Sequence, residues 1–527
     1  MRLLHIKQSG FVLPALLSII IALSIIILAV ASAIDMNFNS VNNNNQSQKA
    51  FNIAESGINY YLWHLSHNPT DFKDGNTTPA TPDADLGYGP YVHNYVNADA
   101  QITGTYTLWI KPQGVGSTIM TVRSIGKATG SNIIRTVEAQ VGTPSFASYA
   151  ISSDSAIWFG NTESANGPVH SNQGVRMDGA SNTDVTSAKA TYVPPGSVGG
   201  DGNSHPGVWC HTSVTTPVNC NTRSKVDWRY PVPTLDFNQI TGSLCTMKKT
   251  AFANDTATAA LATNPNACNQ VPTTRTPAYL PQRATNGSYN LTRGYLIQLN
   301  NNNTYDVSQV NAENDAANSY TTALTTTSIA TSIAIPSSGI IFAEDNVWVR
   351  TNPTFNGRVT IAAGRLATSS NANIVIADDV TYATKNGTVA IGMVAEDSII
   401  IAPYAPPQSG AFAFEVDAAV IAQSGSVLYP SRYRTNSNNC TKGWVASNQT
   451  FSFYGSVATR QTWTWTWYLG NNSCGSAAYD NASNAYISGI LNNTSQYDYN
   501  LLYAPPPSFP ITSSYNILSW REILVKP

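Results

Sequence analysis

The stretch FVLPALLSIIIALSIIILAVASAI, residues 11–34, decides the fold of this chain, and it contains no charged residue. As an α-helix it would be roughly 36 Å long, at about 1.5 Å per residue, which is enough to cross a bilayer core of about 30 Å. Arg2, His5 and Lys7 precede it, and Asp35 is the first acidic residue after it. Because basic residues stay on the cytoplasmic side of a membrane, we expect the rest of the chain to lie outside.

The junction between Gly10 and Phe11 comes before the apolar run. A secretory signal peptide would have a shorter apolar core, of about 7–15 residues, and a cleavage site after it. A cut between Gly10 and Phe11 would remove only the leader, residues 1–10, and would leave the apolar helix on the mature protein. An uncut signal-anchor is the alternative.

The helical pattern continues beyond the apolar run into residues 46–65, QSQKAFNIAESGINYYLWHL. The apolar residues that share one helical face here are Phe51, Ala54, Ile58 and Leu65. We therefore predict one helix over residues 11–67, with residues 11–34 in the membrane and the second half on a folded domain. Asn is a poor interior helix former, so residues 42–45 are expected to form a joint.

These residues resemble a type IV prepilin. The Gly10–Phe11 junction looks like a class III signal site, which a prepilin peptidase cuts, and Ala50–Leu65 is similar to the helix end of the PilX-type minor pilin N-terminal domain. The resemblance covers about the first 140 residues. It implies a single-pass protein of the cytoplasmic membrane with its bulk outside, and a place at the cell surface in a pilus after assembly. The implied partners are other pilin subunits, the prepilin peptidase and the inner-membrane assembly platform.

Ala15 departs from the pattern of major pilins, which carry Glu at the fifth mature position, counted here from Phe11. That Glu pairs with a neighbour's terminal amine, and a carboxylate in lipid is costly unless it is paired. Minor pilins placed at or near the fibre tip similarly lack it. The resemblance therefore implies a structural or adhesive minor subunit near the tip. Pro14 falls in the first turn of a helix that begins at Phe11, where a missing N–H costs little.

The composition favours a folded β-rich protein and excludes some functions. Only 11% of the residues are charged and the net charge is −2, so there is no basic field for nucleic acid. The 26 Tyr and 11 Trp residues argue for β structure and against disorder. No Walker loop, HExxH, nucleophile elbow or dinucleotide fingerprint is present, so we expect neither an enzyme nor a cofactor.

For residues 68–144 we predict a linker followed by a small antiparallel meander. Residues 68–99 are rich in Pro and Gly and are interpreted as a loop. The alternating runs that follow it cover residues 102–110, 118–126 and 133–141.

Residues 145–527 repeat a short motif in which two apolar residues and an Ala precede a polar turn and another apolar run. The aligned Ala residues are Ala343, Ala362, Ala377, Ala395, Ala422 and Ala458. Repeats of this length suit the coils of a β-helix, which bury a continuous column by stacking. We predict an α+β, mostly β protein whose passenger is a right-handed β-helix with loop insertions, the largest at about residues 195–330. A β-sandwich is the alternative, because strand spacing alone does not separate the two folds.

The six cysteines all follow the apolar run, as expected for disulfides in an exported chain. The simplest connectivity joins neighbours, namely Cys210–Cys220, Cys245–Cys268 and Cys440–Cys474. No CxxC or Cys/His spacing indicates a metal site.

Trp463, Trp465 and Trp467 alternate along one predicted strand and therefore share a face. An exposed face would offer a platform for a cell-surface or glycan ligand. We favour a buried face, because aromatic side chains most often bury their large apolar area. The exposed reading supports a second function, that of a membrane-anchored extracellular carbohydrate-binding or carbohydrate-active β-helix protein.

Three acidic pairs lie within the repeats, namely Glu344–Asp345, Asp378–Asp379 and Glu396–Asp397. Stacked in register, they would offer oxygen ligands to Ca²⁺. Adjacent carboxylates are also common at solvated turns, and this interpretation is the one we favour, so no metal site is expected.

Overall fold

A computed structural model describes residues 12–68, 71–76, 81–112, 119–160, 163–211, 227–283, 293–368, 370–404, 411–434, 438–512 and 516–524 of the 527-residue chain. The chain forms two compact units. The first comprises Met1–Pro112, Met120–Gly142 and Tyr515–Pro527, and the second comprises Gln113–Ile119 and Thr143–Ser514. In sequence, the second unit is thus inserted into the first.

The first unit combines one long helix with a five-stranded sheet. Its elements are helix α1 (Val12–His67), strands β1 (Tyr88–Val96), β2 (Ile102–Pro112), β3 (Ile119–Ala128) and β4 (Ile134–Gly142), and the C-terminal strand (Asn516–Ile523). They pair in the order β1, β2, β3, β4, C-terminal strand. The three runs predicted as a meander are β2, β3 and β4, whereas β1 lies in the stretch interpreted as a loop.

Helix α1 begins at Val12 and ends at His67, close to the bounds expected from the sequence. It passes through residues 42–45 without a break, so the predicted joint is wrong. The cost of four Asn residues is a few tenths of a kcal/mol each, which a helix continuous on both sides outweighs.

The C-terminal strand belongs to the first unit, although the sequence analysis assigned all of residues 145–527 to the passenger. It pairs antiparallel with β4, from Asn516 opposite Gly142 to Ile523 opposite Thr136. Each unpaired strand edge leaves a row of backbone donors and acceptors without partners, and the C-terminal strand satisfies those of β4.

The second unit is built mainly from parallel strands in two large sheets. Sheet A contains, in spatial order, Trp228–Arg229, Val185–Ser187, Val169–Ser171, Ile151–Ser153, Gln449–Thr459, Phe412–Ala422, Ala390–Ala395, Arg358–Ala363, Ile340–Ala343 and Tyr279–Leu280, with Asn493–Tyr497 beside Gln449–Thr459. Sheet B contains Leu324–Ala334, Thr304–Glu313, Gly294–Asn300, Asn346–Asn352, Ile374–Ile376, Ile399–Ile401 and Val427–Leu428. All the pairs of sheet A are parallel.

Between residues 340 and 428 successive strands alternate between sheet A and sheet B. This alternation is what stacked coils of a β-helix require, and the right-handed β-helix itself stays a prediction. The extensive parallel strand pairing argues against a β-sandwich, the alternative predicted from the sequence, because β-sandwiches are made of antiparallel sheets.

The register of sheet A corrects the predicted alignment of the alanines. Ala343, Ala363, Ala395 and Ala422 are directly paired in neighbouring strands and belong to the core between the sheets. Ala362 and Ala458 are offset by one residue. Because a one-residue offset in a strand reverses the face, they point to the outer side. Ala377 follows a strand of sheet B.

Helix α2 (Gln239–Ala253) covers the outer face of sheet A. Its Ile240, Leu244 and Met247 pack in one cluster with outward-facing residues of six strands, among them Phe342 and Ile421. The helix lies in the chain between Trp228–Arg229 and Tyr279–Leu280, the strands at the two ends of sheet A, so this segment returns the chain along the sheet.

The loop insertion predicted at about residues 195–330 is therefore shorter than expected. Tyr279–Leu280 and Gly294–Asn300 already pair parallel with strands of sheets A and B. Only the hairpin strands Thr304–Glu313 and Leu324–Ala334 extend sheet B in antiparallel fashion.

The remaining strands form small sheets. A three-stranded parallel sheet holds Val208–Trp209, Val175–Met177 and Ile157–Phe159. A four-stranded mixed sheet holds Gly443–Trp444, Ala485–Ile490, Thr466–Tyr468 and Ala478–Asp480. Two short pairs join Ser164–Ala165 to Ala180–Ser181 and Thr191–Tyr192 to His205–Pro206. Short helical turns are Phe146–Ser148, Gly196–Val198, Ala259–Ala262, Ala267–Asn269, Tyr320–Ala323 and Tyr499–Leu502.

The two segments that lead into and out of the second unit pair with each other. Ser145 and Ile511 form an antiparallel bridge. The Phe146 N–H donates to the Pro510 carbonyl at 3.0 Å, and the Thr512 N–H donates to the Pro144 carbonyl at 2.8 Å.

Candidate functional site: helix α1 and its sheet

The first half of α1 carries a long exposed apolar surface. From Val12 to Val41 the large apolar side chains are exposed, and within the described residues α1 is the one helix long and apolar enough to cross a membrane. Monomeric soluble proteins rarely expose apolar surface on this scale. Such a surface therefore indicates a site of contact with a membrane or with another protein.

Two hydroxyl groups in this apolar half are satisfied within the helix. Ser18 donates to the Pro14 carbonyl at 2.7 Å, and Ser24 donates to the Ile20 carbonyl at 2.8 Å. In an apolar environment an unpaired hydroxyl costs free energy, so these bonds make both serines compatible with lipid or with packed helices.

The second half of α1 is buried against the sheet of the first unit. Its buried residues are Ala50, Ile53, Ala54, Gly57, Ile58, Tyr61, His64 and Leu65. They recur at helical spacing and pack against side chains from β2, β3 and β4, such as Leu108, Val122 and Val137. The one helix thus has two halves of opposite character, one exposed and one in a core.

Small residues bring the helix and the sheet into close contact. A Cβ on Gly57 would lie 2.2 Å from Ser124 Oγ and 2.9 Å from the Tyr106 ring. A Cβ on Gly126 would lie 2.1 Å from the Ala50 carbonyl oxygen and 2.5 Å from the Ala54 nitrogen. Gly126 is required because the strand and helix backbones approach too closely for a side chain, whereas a Cβ on Gly57 would collide with two side chains of the sheet.

The C-terminal strand also holds the helix. The Phe51 and Trp520 rings meet edge to face, with centroids 5.9 Å apart. Arg135 Nη1 donates to Ser47 Oγ at 2.6 Å, and the same guanidinium pairs with Glu522. This contact was not expected from the sequence, although the apolar and aromatic residues of NILSWREI are typical of a strand.

A polar loop holds the end of α1. His64 Nε2 is 3.0 Å from Asp71 Oδ2, and the Asp71 carboxylate accepts from the Lys73 and Gly75 N–H groups at 2.8 and 2.6 Å. Burial acts to raise the Asp71 pKa, but these backbone bonds and His64 outweigh it and hold the pKa below its usual value.

A second histidine–aspartate pair lies next to this loop. His93 Nε2 is 2.6 Å from Asp74 Oδ2, and the Tyr60 hydroxyl donates to Asp74 Oδ1 at 3.2 Å. Burial, followed by the Asp74 charge, raises the Tyr60 pKa to about 12, so this hydroxyl stays a donor at neutral pH.

The predicted processing residues Gly10 and Phe11 lie outside the described residues. Ala15 lies in the first turns of α1. The first acidic residue of the helix is Asp35, so the apolar half presents no carboxylate before it.

Two of the three cysteine pairs predicted from the sequence are joined in the structure. Cys245 is bonded to Cys268 and Cys440 to Cys474, with Cα–Cα distances of 5.2 and 5.4 Å. Cys220 lies outside the described residues, so its pairing with Cys210 stays a prediction.

Of the three tryptophans predicted to share a face, Trp465 is buried, whereas Trp463 and Trp467 are half-buried. Trp465 is only 4% exposed and packs against Phe451 and Trp463, with ring centroids 4.8 and 4.9 Å away. Trp463 is partly buried against the same core, and Trp467 Nε1 donates to the Tyr429 carbonyl at 2.8 Å. Burying these large rings fills the core, and a buried Trp465 offers no face to a ligand.

The acidic pairs do not come together as a calcium site, and the described residues contain no cluster of three or more metal-type ligands. Asp379 accepts from the Glu415 N–H at 2.8 Å, and Glu396 accepts from the Arg365 N–H at 2.6 Å. Glu344 pairs with Lys248, with both side chains buried. Asp379 and Glu396 therefore accept hydrogen bonds from backbone N–H groups, and Glu344 pairs with a buried lysine.

No protein-family model matches the chain, and no curated protein matches it. Among solved structures, one match is the crystal structure of the competence-associated pilin ComZ from Thermus thermophilus. The two are 14% identical, the match covers 91% of this chain and 98% of that one, and the TM-score is 0.26. A TM-score this low does not establish a shared fold.

Proposed function

We propose that this chain is a minor subunit of a type IV pilus, with a structural or adhesive role. In this proposal a prepilin peptidase cuts between Gly10 and Phe11, and the mature helix enters the fibre among the helices of other pilin subunits. The second unit is the extracellular passenger, without catalytic activity. Before assembly the helix holds the protein in the cytoplasmic membrane through residues 11–34.

The observation that carries the proposal is the division of α1 into two halves. Its apolar half is exposed, while its other half is fixed to an antiparallel sheet by glycine contacts. A membrane anchor needs only the apolar half. A helix that must leave lipid with its domain attached also needs a rigid joint, and an unbroken helix buried in the domain's core provides one.

Assembly requires a second apolar environment for the helix after lipid. Side chains such as Leu16, Ile20 and Leu23 satisfy both environments, because packed pilin helices and lipid tails are equally apolar. The internally bonded Ser18 and Ser24 need no partner in either environment.

The proposed place at the tip depends on Ala15. A subunit below another one needs a group to pair with the amine of the subunit above, and Ala15 supplies none. Such a subunit is best placed with nothing above it, where the absent carboxylate costs nothing.

The test is the location and the N-terminus of the mature protein. We expect mass spectrometry of the full chain made in its own cells to find Phe11 as the first residue, and sheared fibre fractions to contain the protein. A Gly10→Leu variant should keep the leader and disappear from the fibres. A Ser9→Ala variant is the matched control and should behave as wild type.

Two results would reject the proposal, namely an intact residue before Phe11 and protein confined to membranes after shearing. They would leave the membrane-anchored carbohydrate-binding or carbohydrate-active protein as the better candidate. The buried Trp465 gives that candidate no support from the aromatic run.

A further inference from the structure

Lys248 of helix α2 and Glu344, next to strand Ile340–Ala343, form a buried pair in the second unit. The Lys248 side chain is 0% exposed and that of Glu344 is 1% exposed, and Nζ contacts Oε1. Nζ also donates to the Cys268 carbonyl at 2.9 Å. The position of the amine is thus fixed from two sides.

The surroundings of the pair are apolar and aromatic. Nζ lies 5.9 Å from the centroids of both the Phe252 and the Phe342 rings. Moving two opposite charges into such a site costs several kcal/mol per ion, and their attraction repays this only in part. A neutral link between the same two groups would remove both charges.

We propose that Lys248 and Glu344 are joined by an amide bond that forms within the folded protein. The Nζ lone pair attacks the carboxyl carbon of protonated Glu344 and a C–N bond forms. The C–OH bond then breaks, and the hydroxyl leaves with a proton from the nitrogen as one molecule of water. No oxidant or external reactant is needed.

The protonation states that this step needs are favoured by the site. Burial lowers the pKa of Lys248, and burial raises that of Glu344 to about 7, while their mutual attraction opposes both shifts. Neutral amine and neutral acid therefore coexist at neutral pH far more often than in water. The Tyr279 hydroxyl donates to the Pro272 carbonyl at 3.5 Å and also interacts electrostatically with the Glu344 carboxyl.

The bond would lock helix α2 onto sheet A. The disulfide Cys245–Cys268 begins three residues before Lys248 and holds the same helix to the segment that follows it. Together the two cross-links would fix the segment that returns the chain along sheet A. A segment fixed in this way would resist unfolding when the extracellular protein is under tension.

A second buried carboxylate provides an internal comparison. Asp417 is fully buried and lies 2.8 Å from Lys385 Nζ, but Lys385 is 41% exposed. Ion pairing raises the pKa of Lys385 despite its partial burial, so its amine stays charged and non-nucleophilic. The same protein should therefore contain one linked lysine and one unlinked lysine.

The test is mass spectrometry of the purified full chain after reduction of its disulfides. We expect an intact mass lower than that of the mature sequence by one water molecule. A tryptic digest should show no cleavage after Lys248 and one branched peptide that joins Lys248 to Glu344, whereas Lys385 should be cleaved normally. A Lys248→Arg variant should regain the missing mass, and Lys385→Arg should not.

Recovery of the Lys248 and Glu344 peptides unlinked, with a full intact mass, would overturn the proposal. The wild-type digest decides this even if the Lys248→Arg protein does not fold. Neither residue lies in α1, so this outcome would leave the assignment to a pilus untouched.

Discussion

A Cβ atom on Gly126 would lie 2.1 Å from the carbonyl oxygen of Ala50, so strand β3 and helix α1 meet where only a hydrogen atom fits. The atoms on the helix side belong to the backbone and cannot turn away as a flexible side chain would. This contact sets the distance between the helix and its sheet.

Gly126→Ala is therefore expected to destabilise the first unit. The added methyl group must push the helix away from the sheet, and overpacking of this kind costs about 1–3 kcal/mol. Hydrogen exchange of the full-length protein should show faster exchange in β3 and in the second half of α1. Gly196→Ala is the control, because a Cβ there would meet nothing within 4 Å and exchange should not change. Unchanged protection in Gly126→Ala would show that the close contact does not hold the unit together.

Trp465→Ala is expected to lower the stability of the second unit and not to remove a binding site for a cell-surface ligand. The ring fills the core beside Phe451, and truncation of a buried Trp costs about 3–5 kcal/mol. Denaturant unfolding of the second unit measures the loss. Trp158, which is 39% exposed, is the matched control, and Trp158→Ala should cost clearly less. A Trp465→Ala protein with wild-type stability that no longer bound a cell surface would reinstate the aromatic platform.

Removal of the C-terminal strand is expected to damage the first unit. A chain ending at residue 515 loses the ladder to β4 and the pairing of Arg135 with Glu522. The exposed edge of β4 should exchange its backbone hydrogens faster and promote aggregation. A chain ending at Leu524 keeps the strand and should behave as wild type. Equal exchange in the two truncated chains would contradict the pairing.

Helix α1 could be predicted through to its end at His67, because its apolar run and its helical periodicity are local signals. The C-terminal strand could be predicted as a strand but not placed, since its partner β4 lies several hundred residues earlier in the chain. Its assignment to the passenger followed from sequence proximity alone.

Helix α2 was missed inside a segment interpreted as a polar loop, although Ile240, Leu244, Met247 and Ala251 recur at helical spacing. The alanine alignment failed for a different reason. Ala362 and Ala363 are adjacent, and only the strand pairing decides which of them faces the core between the sheets. No sequence pattern predicts the contacts of Lys248 with Glu344 and of Gly126 with Ala50, because each contact joins elements far apart in the chain.

The stability of the second unit should depend on pH through Asp417. Burial raises the pKa of this carboxyl from 3.8 to about 6, although Lys385 and the Tyr382 N–H oppose the shift. The folded protein therefore binds a proton between these values that the unfolded chain does not, so the free energy of unfolding rises as pH falls through 6 towards 4. At about 1.4 kcal/mol per unit, this gain is about 2–3 kcal/mol.

The comparison that isolates this effect is wild type against Asp417→Asn in denaturant unfolding at several pH values. The difference between them should change between pH 6 and 4. Glu415→Gln, which removes the exposed partner of the same lysine, should keep this change at a slightly lower pH, because the Glu415 charge contributes to raising the Asp417 pKa. Parallel curves for wild type and Asp417→Asn would exclude the raised pKa.

Ala15→Glu tests why this subunit would stay at the tip. The new carboxylate could pair with the amine of a subunit placed above it, which an apolar side chain cannot do. Fluorescent labelling on isolated pili should then show the protein along the shaft as well as at the ends. Before assembly, an unpaired carboxylate costs about 2.5–3.5 kcal/mol at the centre of a membrane helix and less in the first turns, where residue 15 lies, so the amount in the membrane should fall only slightly. Ala15→Gln has the same size without the charge and should stay at the ends. Label confined to the ends in both variants would show that Ala15 does not determine the position, and that the bulk of the passenger is the better explanation.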